Sequence, residues 1–344
     1  MMNKMKKILL GTVLLSGLAL VGCSSSEDAK DSGKVEDASK TLYFVPIVDT
    51  GAYWNPMRLG AEVTAEKLGY DLVVKTSPPA EAQKNDKHIG FIKEAVANKV
   101  AGIAVSPIEQ NMFKNPIKEA MDADIPVITF DADLENKEDR VAYVGTDNVL
   151  AGEDLGRNAA KEMKEKGITS GTLTIVCVDK SQPTMIAREK GLKQGFEEEM
   201  GADAKNFKWL ETIQDNDQSA VSKQQLEGQI TANSDLVTVF SLGSEGPDVG
   251  VMEALASQDK AGKILHYGFD YTDTWKKGIE DGRITAIVDQ DAYGIGVQVI
   301  ENLVKAVEGE EIDNNIPIPV NYVKADEIEA YGVEKNSQTT TKTE

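Results

Sequence analysis

The sequence predicts an α/β protein made of two doubly wound parallel-sheet lobes. Three observations predict it. Short runs rich in Val, Ile, Leu, Phe and Thr recur without clean apolar–polar alternation, as strands buried on both faces of a parallel sheet do. Helical patterns lie between these runs, which is the signature of βαβ units. The series also divides near Gly145–Asn148 into two comparable halves, each of about five strands.

In chain order, the first half places strands at Leu42–Val48, Asp71–Lys75, Gly102–Ser106, Val127–Asp131 and Val141–Val144. The second half places them at Leu173–Val178, Phe207–Thr212, Leu236–Ser241, Leu265–Asp270 and Thr285–Asp289. The first helix, Pro56–Leu68, carries apolar residues at Met57, Leu59, Ala61, Val63, Ala65 and Leu68. It stops at Gly69, the usual left-handed cap. Similar patterns cover His88–Asn98, Phe113–Asp122, Val149–Glu165, Ala187–Met200, Ala220–Ala232, Pro247–Ala256, Thr272–Asp281 and Tyr293–Val307.

The chain opens differently. Lys4, Lys6 and Lys7 precede an apolar run from Ile8 to Val21, followed by Gly22 and Cys23. A basic start, a short apolar stretch and a small residue before the cut read as a secretory signal peptide over residues 1–22. A membrane span needs roughly 20 apolar residues, and no later run is long enough either. Cys23 resembles the lipobox cysteine of bacterial lipoproteins, which is acylated and becomes the mature N-terminus. Residues 23–40 then form a polar, flexible tether. The expected address is extracytoplasmic, lipid-anchored to the cell membrane, on a Gram-positive outer face rather than in a periplasm.

Loss of residues 1–22 removes three lysines and no acid, so the net charge of −20 becomes about −23. Phosphate binding needs clustered Lys and Arg, so nucleic acid is not an expected partner. With Cys23 acylated, Cys177 has no disulfide partner. It lies in an apolar strand and reads as a buried structural thiol.

In doubly wound sheets, ligands bind outside the carboxyl ends of strands. That rule selects a coherent chemical set. Tyr53 and Trp54 are adjacent aromatics able to stack on the apolar faces of a sugar ring, or to fill core at a helix start. Ser106 follows the third strand. Asp131, Asp270 and Asp289 each end a buried strand, where carboxylates accept from paired hydroxyls. A helix N-cap is the competing reading for Asp270. Arg188 offers rigid donors, or a surface ion pair with Glu189. Gln290 both donates and accepts. Ser244 and Glu245 follow the strand Leu236–Ser241, and Asp133 and Glu135 read as solvated loop charges.

Catalytic alternatives find little support. His88 and His266 form no metal-ligand spacing, and no nucleophile elbow, phosphate loop or dinucleotide glycine signature is present. Asp215–Ser219 resembles the start of a calcium loop but lacks the required Gly and closing Glu. Neither a metal, a catalytic residue nor a cofactor is expected. A secreted glycoside-active enzyme with paired carboxylates is the rival from another class.

The residues resemble the extracytoplasmic solute-binding proteins of ABC sugar importers, of the ribose-binding type (the periplasmic binding protein type I fold). Gly51–Ala61 with its aromatic pair, Gly102–Pro107, Ile125–Asp131, Val144–Asn148, Ala187–Gly191 and Gly268–Asp270 carry the resemblance over Thr41 to about Val333. It implies three crossovers forming a hinge between the lobes, with a ligand cleft there. Residues 41–146 plus about 292–320 would form one lobe. Residues 147–291 plus about 321–335 would form the other, and 336–344 a polar tail. It also implies a monomer that binds a monosaccharide or related polyol and delivers it to ABC permease subunits. Tyr53, Trp54, Ser106 and Asp131 would hold the ligand from the first lobe, and Arg188, Asp270 and Gln290 from the second. Ala132 and Gly243–Ser244 depart from the ribose pattern, which leaves a nucleoside or autoinducer-type signalling molecule as the alternative ligand.

Overall fold

The structure is a computed structural model describing residues 39–48, 50–78, 83–243, 245–332 and 335. The signal peptide, Cys23, the tether before Ser39, Ser244 and the polar tail lie outside the described residues, as does the side chain of Glu245.

The chain runs β1 (Thr41–Val45), α1 (Trp54–Leu68), β2 (Asp71–Val74), α2 (Lys84–Ala97), β3 (Gly102–Val105), α3 (Gln110–Asp122), β4 (Val127–Phe130) and β5 (Ala142–Thr146). It continues with α4 (Asn148–Glu165), β6 (Gly171–Cys177), α5 (Pro183–Met200), β7 (Phe207–Trp209), β8 (Ile213–Gln214), α6 (Ser219–Ala232) and β9 (Leu236–Ser241). The last part comprises α7 (Glu245–Ser257), β10 (Leu265–Phe269), α8 (Asp273–Glu280), β11 (Ala286–Gln290), α9 (Ala292–Val307), β12 (Asn315–Ile318) and β13 (Val320–Lys324).

Two sheets result. The first has the order β12-β5-β4-β3-β1-β2, and every pair in it is parallel. The second has the order β13-β11-β10-β9-β6-β7, with β8 also on β6. In each, helices cover both faces. Phe44, Phe130 and Val144 pack under α1 and α9, while Val45, Ile103 and Val127 face α2 and α3. In the second lobe Ile175, Phe240 and Val288 pack under α4 and α5, and Val176 and Val239 face α6 and α7. Successive strand residues thus serve opposite cores, which is why the strand runs show no polar alternation.

The chain passes between sheets at β5–α4, at β11–α9 and at β12–β13. The first two passages enter helices capped alike. Asp147 Oδ1 accepts from the Val149 and Leu150 amides, and Asp291 Oδ1 accepts from the Gly294 amide.

Three elements differ from the sequence expectation. β13 is antiparallel to β11. β12 runs toward its carboxyl end beside β5, and a single residue, Pro319, carries the chain on into the second sheet without reversal. The single strand expected at Phe207–Thr212 is interrupted after Trp209, where Gln229 Nε2 donates to the Glu211 carbonyl at 2.9 Å and takes it out of a ladder. The edge strands β12 and β13 were absent from the expectation because they are short and the first contains Pro317.

Candidate ligand-binding site

The carboxyl ends of the strands bring most of the expected residues together. Asp131 follows β4 and Asp270 follows β10, which hold the same place in the strand orders of their sheets. Both adopt left-handed backbone, with φ of 63° and 66°. Their amides bond to the neighbouring strands, Asp131 to the Val144 carbonyl at 3.3 Å and Asp270 to the Val288 carbonyl at 2.8 Å. This conformation is uncommon for a residue with a side chain and concentrates at binding sites. Neither aspartate caps a helix. Thr272 holds that position for α8, accepting from the Trp275 amide at 3.2 Å.

Around Asp131, Tyr53 OH donates to Oδ1 at 3.0 Å and Ser106 Oγ donates to Oδ2 at 3.2 Å. Tyr53 occupies the N-cap of α1 without a side-chain cap bond, so its hydroxyl is committed to the aspartate. Trp54 meets Tyr53 edge-on, with centroids 5.2 Å apart, and both rings remain partly exposed. Burial pushes the Asp131 carboxyl up to about 6, opposed by the Tyr53 and Ser106 bonds and by Arg188. Burial, then Asp131 and Asp270, also raise the Tyr53 phenol.

On the second lobe, Gln290 Nε2 donates to Asp270 Oδ1 at 2.7 Å. Burial raises the Asp270 carboxyl, Arg188 lowers it and Asp289 raises it further. Arg188 is buried at 6% exposure and does not pair with Glu189. Glu189 binds Lys193 and Thr212 instead. The Arg188 Nε donates to Asn148 Oδ1 at 2.8 Å, Nη1 donates to the Leu242 carbonyl at 2.9 Å, and the guanidinium lies 4.2 Å from the Phe269 ring centroid. That leaves guanidinium N–H groups beyond these two bonds.

Close helix packing places Arg188. A Cβ on Gly152 would stand 2.3 Å from the Arg188 carbonyl oxygen, and one on Gly191 2.0 Å from that of Val149. Only glycine lets α4 and α5 meet backbone to backbone there, and α4 begins at the crossover carrying Asn148.

Asp289 is placed differently. Alternation along β11 sends it to the face opposite Gln290. Its Oδ1 accepts from the Tyr271 amide at 2.7 Å, and its Oδ2 accepts from Tyr331 OH at 2.6 Å and from Lys335. Asp133 is not a solvated charge. Arg140 Nε and Nη2 grip it at 2.8 and 2.6 Å, and Thr129 donates to it. Glu135 is exposed.

Sequence reasoning missed two neighbours. Tyr143 OH donates to the Asp131 carbonyl at 3.1 Å, and Asn148 orients Arg188. Both stand beside the first crossover, and only the tertiary path brings them there. The histidines lie elsewhere. His88 contacts Ser77 at 3.0 Å and His266 contacts Ser241 at 2.8 Å, all four side chains being buried. Burial lowers His88 to about 4 and His266 to about 3, which keeps both neutral. Among the described residues no cluster of His, Cys, Asp and Glu is placed to hold a metal, and no helix is long and apolar enough to cross a membrane.

The chain resembles known proteins over most of its length. It is 28% identical over 321 residues to the ribose import binding protein RbsB of Salmonella typhimurium, covering 93% of this chain and 98% of that one. A glucose-galactose binding protein, GanP of Geobacillus stearothermophilus, superposes with a TM-score of 0.71 at 24% identity, over 84% of this chain and 98% of its own. A solute-binding protein of an ABC transporter from Actinobacillus succinogenes, solved with D-allose, superposes with a TM-score of 0.74 at 22% identity, over 85% and 99% of the two chains. A family profile described as the periplasmic binding protein domain matches residues 42–311. With its two parallel-sheet lobes and paired strand-tip aspartates, the chain belongs to the periplasmic binding protein domain family.

Proposed function

We propose that this protein is an extracytoplasmic receptor that binds a monosaccharide or related polyol between its lobes and delivers it to the permease of an ABC transporter. The pairing of Asp131 and Asp270 at equivalent strand tips carries this reading, because each lobe then brings one carboxylate to a common ligand. The names of the relatives, ribose and allose binders among them, support a sugar. Of the mutually edge-on Tyr53 and Trp54 rings, one stacks on the sugar ring and the other meets its edge. Ser106 and Asp131 take hydroxyls from one side, and Arg188, Asp270 and Gln290 from the other. Closure excludes water, which strengthens each of these bonds. The receptor acts as a monomer without turnover. Its first lobe comprises residues 41–146 with about 292–320, and its second 147–291 with about 321–335. Acylation of Cys23 holds it at the outer face of the cell membrane, with Ser24–Lys40 as tether.

Isothermal titration with pentoses, hexoses and polyols tests the assignment. Heat with at least one of them is expected. Silence across the whole panel would sink the sugar reading.

A further inference from the structure

Asp289 is a carboxylate with 2% side-chain exposure at the end of β11. A buried charge persists only with compensation. Here it comes from two directions. Oδ2 is held by Lys335 and by Tyr331 OH, both in the segment after β13. Oδ1 is held by the Tyr271 amide at 2.7 Å. The Lys335 ammonium also lies 5.6 Å from the Tyr271 ring centroid and 6.0 Å from that of Tyr331, and the two rings meet edge-on.

The clasp so formed is adjacent in sequence to two candidate ligand groups. Tyr271 follows Asp270, and Asp289 precedes Gln290. Asp270 and Gln290 bond to each other at 2.7 Å, so both ends of that pair are one peptide from the clasp. Asp270 also holds a left-handed φ of 66°, which persists only where the surroundings enforce it. The clasp borders a cavity of about 600 Å³ to which the first lobe contributes Pro56 and Tyr293, so it lies beside the crossovers.

We propose that Lys335 and Tyr331 are positioning residues for ligand binding, which pin Asp289 against the Tyr271 amide and thereby hold Asp270 and Gln290 ready from outside the cleft. This rests on the receptor reading above. Asp270 is faced by Arg188 from α5, Asp289 and Gln290 from β11, and Asp248 from α7. It is also faced by Lys335 and, across the cleft, by Asp131 and Tyr53. Lys335 lowers the Asp270 carboxyl and so favours its hydroxyl-accepting form.

The test uses the full chain with D-ribose and D-allose as probes, titrated at about pH 5.5 and about pH 7.5. Lys335→Met is expected to weaken affinity on the order of three- to tenfold, the range for a residue coupled through one network. Tyr331→Phe is expected to weaken it about two- to threefold, and Lys335→Arg to restore it. Amide hydrogen exchange of the ligand-free protein, followed by NMR, provides a readout independent of sugar. Lys335→Met should lower the protection of the Tyr271 amide, which donates to Asp289 Oδ1, as Asp289→Ala does. Wild-type affinity at both pH values in Lys335→Met and Tyr331→Phe overturns the proposal. So does failure of Lys335→Arg to restore affinity. If the wild type binds neither sugar, the receptor reading fails for these ligands. Exchange of the Tyr271 amide then decides the clasp, and unchanged protection in Lys335→Met overturns it.

Discussion

Replacing Asp131 by Asn should make the ligand-free protein more stable and the receptor worse. Burial lifts the Asp131 carboxyl from 3.8 to about 6 in the folded chain. Because the folded value lies above the unfolded one, the proton favours the folded state. That stabilisation is complete below the unfolded value and is lost as pH rises through about 6. Each tenfold in a protonation equilibrium is about 1.4 kcal/mol, so ionising Asp131 at pH 7 costs the fold up to about 3 kcal/mol, and roughly half that after allowance for its partial exposure to the cleft. Asparagine keeps an acceptor for Tyr53 and avoids this cost. Urea unfolding over a pH series should therefore show the variant more stable by about 1–3 kcal/mol near pH 7, with the difference vanishing near pH 4. Ligand affinity should move the other way. If hydroxyls bind the carboxylate, wild-type affinity falls about tenfold between about pH 7 and about pH 5, while the variant binds weakly and without that slope. A stability difference that stays flat from about pH 4 to about pH 7 would refute the reasoning, because Asp131 would then not titrate in this window.

Other substitutions probe the surrounding construction. Arg188→Lys replaces a fork bonded to Asn148 and Leu242 by a single ammonium. Unfolding should show a loss of about 2–4 kcal/mol and titration a loss of affinity of about tenfold or more. Gly191→Ala drives a Cβ toward the Val149 carbonyl, and a thermal melt should show a destabilisation of roughly 3 kcal/mol, with affinity falling as α5 shifts. Cys23→Ser should release the protein from cell membranes, seen by fractionation, with unchanged sugar affinity. In that variant Cys177 is the remaining cysteine. Burial, then Glu189 and Asp215, push its thiol up to about 12, so a thiol reagent should react only as the chain unfolds.

The sheets were legible because buried parallel strands leave apolar runs that need no partner to be recognised. The strand-tip rule then selected Asp131, Asp270, Ser106, Arg188 and Gln290 as candidates without knowledge of the path. What it could not see was direction. Asp289 ends a strand as Asp131 does, yet one step of alternation turns it away from Gln290 and into the clasp. Asp133 looked solvated because its partner, Arg140, is brought to it only when the loop before β5 folds back. Arg188 sits beside Glu189 in sequence, and only the glycine contact between α4 and α5 decides that it turns inward. Asn148 and Tyr143 matter through a crossover, which no local pattern encodes.

The two capped crossovers have a mechanical consequence. Asp147 and Asp291 each seal the first turn of a helix at the point where the chain changes sheets. Behind those caps, α4 is locked to α5 and α9 to α1 by glycine contacts. Each cap follows its strand directly, Asp147 after Thr146 and Asp291 after Gln290, so compliance at these crossovers is squeezed into that single junction. Opening and closing become rotation about a short axis, with little energy spread into the lobes. The resting angle, and with it the rate at which ligand escapes, is then adjustable at residues that never touch the ligand. Affinity and residence time can be tuned separately from chemical selectivity.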